Sequence, residues 1–246
     1  MFNKFLKTLP AFTLAEVLIT LGIIGVIASI TIPTLINNYN KQQYVTNLKK
    51  FYTTMNQALT KISVDNGSTG DLAGTGLFGL DKTTEDLGDE LAKQFKLSKN
   101  CKTTETDCAT LGWSNYETGE SEDYHTYYAQ NSSAQPFYSF VTLDGMTIAI
   151  GQAHEEHNLG TPDCKSGIFS GGIIIDNICA VVYVDVNGKK EPNRFGRDIF
   201  NFYVTASGFL KNYPISGDFY CNPDTTNKQG GDCAKIIIEK GWQMNY

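Results

Sequence analysis

Phe12-Thr13-Leu14-Ala15-Glu16, followed by VLITLGIIGVIASITIPTLI over residues 17–36, is the stretch that decides how this chain reads. The second part holds twenty residues without a charge. As a helix it covers about 30 Å, enough to cross a bilayer. Lys4 and Lys7 lie just upstream, and lysines on that flank orient a span with its N-terminus toward the cytoplasm. A cleavable secretory signal places its small-residue site after the apolar stretch. Here the small residue before a plausible cut, Ala11, precedes it. Glu16 sits at the very start of the run, and a carboxylate there is expensive unless a positive group meets it.

The stretch A-F-T-L-A-E-V-L-I-T-L-G-I-I-G-V-I-A, residues 11–28, resembles the N-terminus of type IV prepilins and type II secretion pseudopilins. The resemblance implies that a prepilin peptidase cuts between Ala11 and Phe12 and that the freed amine of Phe12 is methylated. Glu16 is then the fifth mature residue. Pro33 is the twenty-second, where many pilins also carry a proline. The family prefers Gly before the cut, and Ala11 is the mildest departure from it. In the family, the freed amine of one subunit is thought to neutralise the Glu of its neighbour. Two such charges in a poorly solvated filament core attract by several kcal/mol, so Glu16 would act as a register key. A plain signal anchor explains the apolar run and the lysines but leaves Glu16 without a role.

With 246 residues, the expected division is a leader over 1–11, a transmembrane and assembly segment over 12–36, and a globular domain over 37–246 with ample length for a core. Net charge is −6, and loss of the two leader lysines leaves −8. That balance argues against general nucleic-acid binding, which needs a basic surface. All six cysteines, Cys101, Cys108, Cys164, Cys179, Cys221 and Cys233, lie beyond the apolar run. An even number confined to the exported part reads as disulfides made in an oxidising compartment. Of the 15 connectivities that six cysteines allow, pairing of sequence neighbours is expected, because each such pair encloses a polar loop.

Past Pro33 the pattern becomes amphipathic. Tyr44, Leu48, Phe51, Met55, Ala58 or Leu59, and Ile62 step by three or four, with Lys41, Gln42, Lys49, Lys50 and Lys61 between them. One helix over 13 to about 63 is predicted, with a bend or melted turn near Pro33. Residues 65–135 read as polar and irregular, apart from a short helix over 84–95 capped by Thr84. Strands are predicted over 137–143 and 146–150 with an Asp144-Gly145 turn, then 173–175, 179–186 and 199–205. The class is α+β: a long N-terminal helix on an antiparallel sheet with disulfide-stapled loops. The resemblance implies the same pilin-like fold.

Two more stretches are similar to this family. One is VDVNG at 184–188 with EPNRFGRDIF at 191–200; the other is the Cys221 to Cys233 closure followed by AKIIIEKGWQMNY. Some pseudopilins bind calcium in such a loop, which makes Asp185, Asn187 and Asp198 calcium candidates. The EF-hand spacing fails because Gly188 comes too early, and Asx side chains capping turns are the preferred reading. His154-Glu155-Glu156-His157 lacks the spacing of a zinc hydrolase helix, and no C-x-x-C pair marks a zinc site. No nucleophile elbow, P-loop or dinucleotide motif occurs. Neither catalysis nor a cofactor is expected.

The functional expectation is a structural subunit of a type IV pilus-like filament or a type II secretion pseudopilus. It would be held in the cytoplasmic membrane before assembly and on the cell surface afterwards. Its partners would be other copies or related pilins, the peptidase and the membrane. The alternative is a membrane-anchored or tip-located minor pilin of adhesin type, presenting residues 65–170, with the tyrosine-rich ETGESEDYHTYYAQNSS at 117–133, to a ligand.

Overall fold

A computed structural model describes residues 12–79, 81–103, 108, 137–152, 164, 166–170, 173–208, 210–211, 221 and 233–246. The chain divides into two compact units, Met1–Lys41 and Gln42–Tyr246. The first buried side chain after the apolar run is Tyr44.

Helix α1 (Leu14–Asp65) runs through both units. It is the one described helix long and apolar enough to cross a membrane, and none of that apolar window is buried. The hydroxyls within it are satisfied locally: Thr20 donates to the Val17 carbonyl at 3.0 Å, Ser29 to Val26 at 2.8 Å and Thr31 to Ile27 at 3.0 Å. Such back-bonding is how an apolar helix carries hydroxyls without stranding them. The helix is unbroken at Pro33, so the predicted melted turn does not form. Pro33 removes one backbone donor, while the turns on either side keep theirs.

In the second unit the stripe predicted on α1 is the buried one: Tyr44, Leu48, Phe51, Met55, Ala58, Leu59 and Ile62, joined by Val45 and Ser63. It enters the main core together with alternate residues of an antiparallel sheet. The strands are β1 (Leu97–Lys102), β2 (Tyr138–Thr142), β3 (Thr147–Gln152), β4 (Ser166–Ser170), β5 (Ile173–Asp185), β6 (Ile199–Thr205) and β7 (Leu210–Lys211). Their order is β1-β2-β3-β5-β6-β7, with β4 paired to the first half of β5.

The period of two sorts the side chains. Ala180, Val182 and Val184 of β5, and Phe200, Phe202 and Val204 of β6, join the α1 core. Val181, Tyr183, Ile199 and Tyr203 build a second cluster with Phe137, Ala149, Ile178 and Phe195. Phe51 meets Phe202 with ring centroids 5.6 Å apart. The two apolar runs predicted as separate strands are one strand, β5, which passes through Asn177 at φ 60, a conformation Asn tolerates.

Helix α2 (Thr84–Ala92) ends three residues earlier than predicted, and its cap is Thr83, not Thr84. Thr83 accepts from the Asp86 amide, and the Asp86 carboxylate accepts from the Thr83 amide at 2.9 Å, a reciprocal capping box. Thr84 instead accepts the Gln152 amide at 3.1 Å, tying α2 to β3. The stretch read as irregular also contains β1. It is held by pairing with β2, not by an apolar pattern of its own. Helix α3 (Cys233–Glu239) places Ala234 and Ile237 in the main core. The disulfides are Cys101–Cys108, Cys164–Cys179 and Cys221–Cys233, the sequence-neighbour pairing.

Candidate functional site

Two groups of sequence-predicted residues fall on described parts of the chain, each within its own unit. The first is the start of α1. Thr13 precedes the first helical residue, and Glu16 is the third residue inside, the spacing of a capping box. The Glu16 carboxylate accepts the Thr13 amide at 2.8 Å and the Thr13 hydroxyl at 2.7 Å, while the Glu16 amide donates back to Thr13 Oγ1 at 3.2 Å. An acid in the first turn also complements the helix dipole. Glu16 therefore already has an intrachain task, which the T-x-x-E spacing signals. Phe12 is 86% exposed, and the large apolar residues that follow are exposed with it. Ala11 and the leader lie outside the described residues, as do 117–133 and 154–157.

The second group is the turn after β5. Asp185, Asn187 and Asp198 are brought together there, with Asp185 and Asp198 fully buried. Asp198 accepts the Asn193 amide at 2.9 Å through one carboxylate oxygen and the Arg194 amide at 2.7 Å through the other. Asp185 accepts the Asn187 amide at 3.2 Å, and the Asn187 side chain donates to the Lys190 carbonyl at 3.0 Å. Burial pushes the Asp198 carboxyl above its ordinary range, while the Arg194 and Asn193 amides pull it down. The turn-capping role expected of these Asx side chains is visible in these bonds. Both Asp198 oxygens accept backbone amides, and the EF-hand spacing is absent. Among the described residues, no three His, Cys, Asp or Glu side chains gather as a metal cluster.

The turn is held from two further sides. Asn47 of α1 donates to the Val186 carbonyl at 2.9 Å, and the hydroxyl of Tyr246 donates to the Gly196 carbonyl at 2.8 Å. Gly188, at φ +66, lies so close to the Gly145 carbonyl that a β-carbon would collide with it. The Tyr246 contact carries no sequence signal, because it joins residues fifty apart.

A model of a family of unknown function (DUF6613) matches residues 34–74, which is the second half of α1 and the turn after it. No curated protein and no solved structure matches the chain.

Proposed function

We propose that this chain is a structural subunit of a type IV pilus-like filament or a type II secretion pseudopilus, cut before Phe12 and assembled through the first half of α1. The observation that carries the reading is the double use of one helix. Its first half is apolar and exposed, and its second half is the spine of a folded domain. An exposed apolar helix needs lipid or neighbouring helices around it. Repeating one head-to-tail contact without closure makes a helical fibre in which each copy surrounds the next. Glu16 then exchanges part of its capping bonds for the amine of a neighbour, in the first turn of the helix, where a carboxylate complements the dipole.

The test is mass spectrometry of the N-terminal peptide, joined to imaging of filaments from cells with and without the chain. The expected mature protein begins at N-methylated Phe12, and filaments are lost or shortened without it. An intact leader, or a cut after Ile36, would overturn the reading. Correct processing without any effect on filaments would favour the anchored or tip-located alternative.

A further inference from the structure

A cleft of about 440 Å³ lies inside the folded unit, between α1, the connection from α2 to β1 and the β2–β3 turn. That volume is in the range of small-molecule sites. Its apolar part is Phe95, Leu143 and Met146. Phe95 packs on Phe140 with ring centroids 5.4 Å apart, and Leu143 is 68% exposed. The three walls are tied to one another. The Leu143 amide donates to the Lys96 carbonyl at 2.8 Å, and Lys50 of α1 pairs with Asp144 of the turn at 2.6 Å.

The polar groups of the cleft divide by what they still lack. The one acid is fully engaged: one Asp144 oxygen faces Lys50, and the other accepts the Thr142 hydroxyl. The donors are not. Among the described residues, the side chains of Thr54, Gln94 and Lys96, which line the cleft, make no hydrogen bond or ion pair within the chain. Thr54 stands out on its helix. Thr46, Thr53 and Thr60 each donate to the carbonyl four residues back, as helix hydroxyls commonly do.

We propose that this cleft binds a small monocarboxylic acid with an apolar body, its carboxylate set against Lys96, Thr54 and Gln94 and its body against Phe95, Leu143 and Met146. The unused groups are donors, so the ligand has to bring acceptors. Two lysines against one aspartate leave a single net positive charge, which suits a monoanion better than a phosphate dianion. A cationic ligand would find the acid already taken. The inference stands apart from the filament reading, since the cleft lies wholly within Gln42–Tyr246.

The full chain in detergent, with isotope-labelled methionine methyl groups, tests this by NMR titration with hydrocinnamate. Met146 lines the cleft, whereas Met55 and Met244 do not and serve as references. The Met146 signal alone is expected to shift and saturate. Hydrocinnamide, the neutral counterpart, is expected to bind at least about fivefold more weakly. Lys96→Gln should weaken the acid about two- to fivefold, the range of an exposed ion pair. Asp144→Asn should tighten it by a similar factor, because it removes the like charge and releases Lys50. A purely structural role of the two residues would not give opposite signs. An unmoved Met146 signal, equal binding of acid and amide, movement of all three methionines together, or variants that act in the same direction would each overturn the proposal. Tighter binding of a blocked Gly-Phe-Glu-Gly peptide than of the acid would also overturn it, and would assign the cleft to a protein partner.

Discussion

Glu16 and Thr13 hold each other across the first turn of α1, with the carboxylate accepting both the amide and the hydroxyl of Thr13. This pairing changes which substitution isolates the charge of Glu16. Alanine removes the charge and the cap together. Glutamine keeps the cap, since capping boxes accept Gln at the same position, and removes only the charge.

Glu16→Gln is therefore expected to insert, fold and be cleaved like the natural chain, yet to enter filaments several-fold less well. Glu16→Ala should in addition lose the capping bonds that the carboxylate accepts from Thr13. The ratio of sheared-filament protein to membrane-pool protein measures both. Equal ratios for the natural chain and Glu16→Gln would remove the register-key role.

Gly88 on α2 faces the ring of Tyr138, and a β-carbon at Gly88 would overlap that ring. Tyr138 is fully buried and cannot swing into solvent. Gly88→Ala is expected to destabilise the folded unit by about 1–3 kcal/mol, the usual range for overpacking, despite the better helix propensity of alanine. Urea unfolding in detergent, followed by circular dichroism, measures the shift. A stabilised variant would show that α2 can move off the sheet.

The Tyr138 hydroxyl donates to Asp89 at 2.6 Å and accepts from Asn100 at 2.7 Å. Burial first, then the bond to Asp89, pushes the phenol up to about 12. The Tyr138 bond, helped by Lys102, holds the Asp89 carboxyl below its ordinary range. For the phenol, whose folded value is raised, the stabilisation is complete below its unfolded value near 10 and is lost as pH climbs toward about 12. For Asp89, whose folded value is depressed, it is complete above the unfolded value near 4 and lost as pH falls through the depressed one. Tyr138→Phe should cost about 1–2 kcal/mol at neutral pH by removing two hydrogen bonds, one of them to a charged group. The gap to the natural chain should shrink toward both pH extremes. A gap independent of pH would mean that the ring, not the hydroxyl, matters there.

Cys221 and Cys233 close a loop with a sequence separation of 12 at the first residue of α3. Both are buried beside Ala234 and Ile237. The double Cys→Ser substitution is expected to cost about 3 kcal/mol in the chain-entropy view and to lower the amount of folded subunit. Non-reducing peptide mapping should recover the linked pair from the natural chain. Free thiols at both positions would refute the pairing.

Most of the frame was legible in the chain itself. A repeat of three and four residues from Tyr44 to Ile62 places one helix face in a core, because only that spacing keeps side chains on one side. Alternation along residues 199–205 sorts them between two faces for the same kind of reason. The T-x-x-E spacing carries the start of α1, a purely local interaction. Tertiary structure decided what depends on distant partners. Strand β1 exists because β2 offers it a ladder, although LSKNCK has no strand pattern of its own. Thr84 yields the cap to Thr83 because Gln152, sixty-eight residues away, takes its hydroxyl. Gly88 is required only by the ring of Tyr138, fifty residues on, and the 186–198 loop is fixed only once Asn47 and Tyr246 reach it. Local periodicity writes helices and strands into a sequence, whereas which buried polar group meets which is settled only when the chain has closed on itself.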